Sequence, residues 1–227
     1  MSVVSSVNNA AANRGVSTAV SLLVDRSGSM YPYADKVSRS VSEFIESQQV
    51  FKGKAFFSLM QFDDVSEFVF KNKDIKEVNK NEFHFQPRGG TALSDALVNA
   101  IDDMDASLKT FAAKEKPRRV VIGLITDGED NMSRNSADKV RQMVQAKEAE
   151  GWDFFFLGVD PNTQNVASDL GISPKKTAQY LADSVQDGIK LLSDKVKEAR
   201  SGKKNMEINS EERQFLLGGP APKKDEL

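Results

Sequence analysis

Thr18-Ala19-Val20-Ser21-Leu22-Leu23-Val24 runs directly into Asp25-Arg26-Ser27-Gly28-Ser29. The first part is short, β-branched and Leu-rich, the pattern of a strand buried on both faces. The second part places a carboxylate and two hydroxyls at that strand's carboxyl end. Working outward, Val37, Val41, Phe44 and Ile45 recur at helical spacing within residues 34–50. Residues 55–62 (AFFSLMQF) read as a second strand, Asp63-Asp64 as a turn, and residues 67–70 as a returning hairpin strand.

Residues 71–88 are polar without a clear period and read as a loop with a short element. From Thr91 onward, Leu93, Leu97, Ala100, Ile101, Met104 and Leu108 mark a long amphipathic helix. Further strands are predicted at 120–125, 152–159 and 177–181, with helices at 136–150, 164–170 and 185–200. Strands alternating with helices predict an α/β fold: a three-layer α/β/α sandwich of Rossmann-like type. Its central sheet is mostly parallel, with one antiparallel edge strand from the hairpin. The domain is expected over residues 17–200, between a flexible N-terminal segment, 1–16, and a flexible polar tail, 201–227, in which Phe215-Leu216-Leu217 could form a docking motif.

In an open α/β sheet, ligands gather at the carboxyl ends of the strands. Asp25 and Asp127 both fall at such ends, and Thr91 opens a helix behind Gly89-Gly90, where the backbone can approach closely. Asp25, Ser27, Ser29, Thr91 and Asp127 can therefore meet at one edge. Two carboxylates and three hydroxyls form an all-oxygen set, which suits a hard cation such as Mg²⁺ and suits zinc poorly. A cation held by few carboxylates keeps much of its charge and can attract an acidic side chain from a partner.

Asp25-x-Ser27-x-Ser29, Thr91 and Asp127 resemble the metal-ion-dependent adhesion site of the von Willebrand factor A domain family at all five positions. The surrounding phrases Gly89-Gly90-Thr91-Ala92-Leu93 and Ile125-Thr126-Asp127-Gly128-Glu129 match as well, and the resemblance spans about residues 17–200. With its strand phrase Gly-Trp-Asp-Phe-Phe-Phe-Leu-Gly from Gly151 to Gly158, the chain looks most like standalone A domains of bacteria and their phages. The resemblance implies that Ser27 and Ser29 ligate directly. It implies that Thr91 and Asp127 exchange between direct and water-mediated contact, and that Asp25 acts through water.

The resemblance also implies a non-enzymatic module whose Mg²⁺, with Mn²⁺ or Ca²⁺ as alternatives, grips a Glu or Asp of a protein partner. Adaptor, assembly and adhesion roles all fit. The competing expectations are a Mg²⁺-dependent phosphohydrolase, a structural or host-binding phage component, and a scaffold with a vestigial site. Against the hydrolase, the chain has no phosphate-cradling Gly-rich lysine loop, and Ser27 stands where an aspartyl-phosphate enzyme would need a second aspartate.

Composition narrows the rest. At 227 residues, 39% hydrophobic and 28% charged, with a formal net charge of −2, the chain reads as an ordinary folded domain with no electrostatic case for nucleic acid. No apolar run approaches membrane-spanning length, and Lys203-Lys204 and Lys223-Lys224 are too small for a membrane patch. The absence of cysteine excludes disulfides and thiolate chemistry. With no signal peptide in residues 1–15, a cytoplasmic location is expected, or a virion one if the source is a phage, and the terminal Lys-Asp-Glu-Leu is read as coincidence. Asp63, Asp64, Glu129 and Asp130 are expected to be solvated turn residues. His84, the sole histidine, is expected to be packed or exposed rather than catalytic, and Asp160-Pro161-Asn162 lacks the glycine and glutamate of a calcium loop.

Overall fold

A computed structural model describes residues 15–128 and 130–222. Continuous apolar runs become strands with both faces covered: β1 (Thr18–Asp25), β2 (Ala55–Phe62), β4 (Arg119–Thr126) and β5 (Trp152–Gly158) are buried along nearly their whole length. The period-2 pleat divides each run between two cores. Val20, Leu22 and Val24 of β1 enter one core, while Ala19 and Leu23 enter the other. The Phe154-Phe155-Phe156 run is split the same way, Phe155 to the first core and its neighbours to the second.

Helices close both faces. Helices α1 (Ala34–Gln49) and α5 (Val185–Arg200) cover the first core; α2 (Leu93–Thr110), α3 (Ala137–Ala149) and α4 (Thr163–Asp169) cover the second. Gly123 in β4 makes room for α5: a β-carbon there would come within 2.5 Å of the Leu192 side chain.

The sheet has six strands in the order β3-β2-β1-β4-β5-β6, where β3 is Ser66–Asp74 and β6 is Thr177–Gln179. All pairings are parallel except that of β3 with β2, so the expected three-layer sandwich with one antiparallel edge strand is found. From β1 the chain winds outward to β3, then returns to pair β4 with the other side of β1. The direction of winding reverses there, which opens a crevice beyond the carboxyl ends of β1 and β4.

Two segments differ from expectation. The edge strand β3 continues to Asp74, four residues into the stretch expected to be a loop. Its far half reads as polar because Lys71 and Lys73 point outward, each with its ammonium over a ring of the same strand, Phe68 and Phe70. Edge lysines of this kind discourage pairing with another sheet.

The second difference is at the C-terminal side, where a flexible polar tail was expected. Residues 210–216 instead form a helix, α6 (Ser210–Leu216), opened by a capping box between Asn209 and Glu212. Met206, Ile208 and Leu216 are buried in the first core, and the buried Lys195 ammonium pairs with Glu212 at 2.8 Å. The Arg213 guanidinium donates to the carbonyls of Thr177 and Pro174 beside β6. Only three apolar side chains in a charged segment anchor it, too few to show as a periodic pattern. Residues 1–14 and the Lys-Asp-Glu-Leu terminus lie outside the described residues. No helix among the described residues is long and apolar enough to cross a membrane.

Candidate metal centre

The register of β1 on β4, with Val24 opposite Ile125, brings Asp25 level with Thr126 in the crevice between the two strands. Asp25 is fully buried. Its Oδ1 accepts the Ser27 amide at 2.7 Å and its Oδ2 accepts the Thr126 hydroxyl at 2.6 Å. Those bonds turn the first loop back over the strand ends. The Ser27 and Ser29 hydroxyls then lie 3.0 Å apart, and Ser29 Oγ donates to Asp127 Oδ1 at 2.8 Å. The Thr91 hydroxyl faces the same point, because a β-carbon at Gly128 would lie 4.0 Å from both it and the Ser29 hydroxyl. The structure thus gathers all five residues named from the sequence at one edge of the sheet.

Backbone bonds clamp the loops together. Arg26 N–H donates to Phe62 O, Arg88 N–H to Arg26 O, and Gly28 N–H to Gly89 O, at 2.8, 2.7 and 3.1 Å. The Thr91 peptide is held from both sides: its N–H donates to Asn131 Oδ1 at 2.9 Å, and its carbonyl accepts the amides of Asn131 and Met132, each at 3.0 Å. Gly89 adopts φ +66°, where a β-carbon would be strained and would also meet the Asp64 carboxylate at 2.8 Å.

The expectation of solvated turn residues holds for Asp64, which is exposed, but not for Asp63, and Asp130 is half-buried. Asp63 is buried; its Oδ2 accepts both Arg26 Nε at 2.8 Å and Arg88 Nε at 2.7 Å, and its carbonyl accepts the Ala92 amide at 2.8 Å. Asp64 Oδ1 accepts the Gly90 amide at 2.6 Å. Asp130 Oδ2 accepts the Ser94 amide in the first turn of α2 at 2.9 Å. All three carboxylates satisfy loop amides or cations, Asp64 doing so from an exposed position. Glu129 lies outside the described residues. The sequence reading also missed Thr126, which orients Asp25, and Asn131, which orients Thr91. A hydroxyl directly before Asp127, at a position where a buried strand ends, was the available signal for the first.

The electrostatics suit a cation. Burial pushes the Asp25 carboxyl up to about 6, with the Thr126 hydroxyl and the Ser27 amide opposing that rise. Burial also raises Asp127, opposed by the Ser29 hydroxyl. Neither carboxylate has a cationic side chain as partner among the described residues, since Arg26 is spent on Asp63 and Glu67. Two desolvated anions in this state favour a positive charge between them. The Tyr180 hydroxyl beneath, fully buried and donating to Thr126 O at 3.3 Å, is held far above its ordinary range by burial and by the two aspartates, so it stays neutral. Among the described residues no group of three or more His, Cys, Asp or Glu is placed to hold a metal ion, and hydroxyls supply three of the five side chains of this donor set. A mixed carboxylate and hydroxyl set fits a hard divalent ion, and Asp25, Ser27, Ser29, Thr91 and Asp127 could hold one.

The sequence matches the von Willebrand factor type A domain over residues 20–195, most of the chain. This chain belongs to the von Willebrand factor type A domain family. Domains of this family are typically metal-dependent protein-interaction modules and generally non-enzymatic. Solved structures agree on the fold. A von Willebrand factor type A protein from Catenulispora acidiphila is 14% identical with a TM-score of 0.57, matching 79% of this chain and 42% of its own. Proximal thread matrix protein 1 from the mussel byssus is 17% identical with a TM-score of 0.59, over 84% of this chain and 47% of its own. The pilus adhesin SpaC from Lactobacillus rhamnosus GG, in an open conformation, is 15% identical with a TM-score of 0.59, over 82% and 30% respectively.

The present von Willebrand A chain thus spans less than half the length of these proteins. No curated protein sequence matches it. The mussel protein is also known with a zinc-occupied MIDAS motif. Zinc is therefore accepted by such a motif in that protein, which tempers the expectation that an all-oxygen set suits zinc poorly.

Proposed function

We propose that this von Willebrand A domain is a metal-dependent protein-binding module. In it Asp25, Ser27, Ser29, Thr91 and Asp127 hold Mg²⁺, with Mn²⁺ or Ca²⁺ as alternatives. The observation that carries this reading is the hydrogen-bonded chain Ser27–Ser29–Asp127, set beside Thr91 and the buried Asp25, neither carboxylate having a cationic partner among the described residues. When bound, the ion supplies an electrophilic centre for an acidic oxygen of a partner. The chain's own residues do the rest. Asp25 and Thr126 fix the first loop, Asn131 fixes the Thr91 peptide, and Gly128 leaves the approach open because it adds no side chain over the two hydroxyls.

The partner is a protein offering Glu or Asp, and the role is that of an adaptor or assembly factor. The strand phrase Gly151 to Gly158 supports the standalone bacterial or phage type. The test pairs calorimetry with capture. Mg²⁺ titrated into the wild-type chain should give saturable binding that Asp127→Ala and Ser27→Ala remove. Both variants should keep their melting transition, because these side chains sit on loops outside the cores. Proteins retained from native lysate in Mg²⁺ should be released by chelator and be absent from the Asp127→Ala eluate. Identical retention in chelator and by that variant sinks the metal-centred reading.

A further inference from the structure

Six large apolar side chains are strongly exposed among the described residues, and three of them stand on loops that build the candidate centre: Tyr31 at 75%, Val65 at 53% and Met132 at 52%. Tyr31 follows Ser29 by two residues, Val65 follows the Asp63-Asp64 turn, and Met132 lies on the loop after Asp127. Exposed apolar groups gathered at one edge mark an interaction site more often than scattered ones do.

Val65 and Met132 line one cleft of about 540 Å³ together with Asp64, Ala92, Asp95 and Arg134. The cleft starts next to Thr91, through Ala92. Met132 is held in place there. Its amide donates to Thr91 O at 3.0 Å, and its side chain lies over Gly90, where a β-carbon would come within 2.5 Å of Met132 Cγ. An unbranched thioether held at its base and exposed at its tip is an adaptable apolar wall.

The charges along the cleft are uneven. Asp64 is engaged by the Gly90 amide; Asp95 accepts the amides of Arg134 and Asn135 and the Asn135 side chain. The Arg134 guanidinium makes no hydrogen bond or ion pair with the described residues, but its charge acts on Asp95 across the cleft, so the apolar pair Val65 and Met132 is what the cleft offers an occupant.

We infer that this cleft is the specificity subsite of the centre. The partner segment that presents Glu or Asp to the centre seats an adjacent aliphatic side chain between Val65 and Met132. The inference rests on the metal-dependent reading above and adds the partner's chemistry: an acidic residue flanked by aliphatic ones.

The test uses the full chain, labelled with ¹³C at the methionine methyl groups, and three synthetic peptides. These are Ser-Ser-Leu-Glu-Leu-Ser-Ser, the same peptide with serine for both leucines, and the same with glutamine for glutamate, each titrated in Mg²⁺ and in chelator. In Mg²⁺ the leucine peptide should bind about 3–10-fold more tightly than the serine peptide, the scale of burying part of one aliphatic side chain. It should also move the Met132 methyl resonance. The double variant Val65→Ser, Met132→Ser should lose that advantage, with an unchanged melting temperature as the check that it is folded.

Equal affinities of the leucine and serine peptides in Mg²⁺ overturn the subsite and leave the metal reading standing. Glutamate peptides that bind no better in Mg²⁺ than in chelator, or no better than the glutamine peptide, overturn both. A monomer–dimer equilibrium abolished by the double variant assigns the cleft to a second copy of the chain and likewise overturns the proposal.

Discussion

Arg26 stands between the two proposed metal-site residues Asp25 and Ser27 and ties the first loop to the second. Its Nε and that of Arg88 share Asp63 Oδ2, and the two guanidiniums share the Glu67 carboxylate at 2.8 and 3.1 Å. The two arginines differ in burial, with side-chain exposures of 8% and 58%. Removing a buried partner leaves a charge uncompensated, whereas an exposed pair is screened by water. Arg26→Ala should therefore lower unfolding free energy by about 2–4 kcal/mol, softened because Asp63 keeps Arg88. Arg88→Ala should cost markedly less, because its guanidinium is exposed and screened by water. Urea midpoints compare the two, and equal losses would refute the assignment.

Asp63 adds a pH test. Burial alone would raise its carboxyl, but the Val65 amide, Arg88 and Arg26 more than offset this and hold it below its ordinary range. A depressed folded value gives stability that is full above the unfolded value of about 3.9 and is lost as pH falls through the folded one. The stability gap between wild type and Asp63→Asn should be constant at neutral pH and shrink in the acid range below about pH 4, measured by denaturant unfolding at stepped pH. None of this network was legible in the sequence. Asp63-Asp64 before a hairpin has the composition of a solvated turn, and burial is a property of what packs around it.

At the scale of elements, the continuous apolar runs were readable because both sheet faces are covered, so strands β1, β4 and β5 carry no alternation to confuse. Elements with one wet face were harder. The far half of β3 alternates lysine with partly buried residues, and α6 contributes a single buried side chain, Leu216. That helix nevertheless covers the region beside β6. The Leu216 carbonyl accepts the Leu181 amide at 3.0 Å, and Lys175 O accepts the Ile208 amide at 2.8 Å. Asn209→Ala removes the capping side chain and should lower stability by about 1 kcal/mol. It should also speed amide hydrogen exchange at Leu181 and Ile208 relative to the core strands. Unchanged exchange at both would show that the segment is held without its cap.

For the whole molecule, the carboxyl edge is where the sheet reverses its winding and where the loops from β1, β2 and β4 meet. Two desolvated carboxylates held there without a cationic partner are an unfavourable feature of the metal-free fold. A cation that binds only the folded chain should raise its melting temperature, by the equivalent of about 2.7 kcal/mol at a hundred times the dissociation constant. Scanning fluorimetry should show the rise with Mg²⁺, its reversal by chelator, and no rise in Asp127→Ala. A shift that survives in that variant would place the bound ion elsewhere.

The sequence by itself determined the fold class and the chemical type of the candidate site. Hydrophobic period and run length are local properties, and oxygen donors at strand ends are visible wherever strands are. Tertiary structure alone decided the rest: that Asp63 is buried between two arginines, that Thr126 and Asn131 orient the site, that Val65 and Met132 share a cleft, and that the C-terminal segment packs as a helix. Each depends on groups distant in the chain being brought within a few ångströms, and no local pattern encodes that distance.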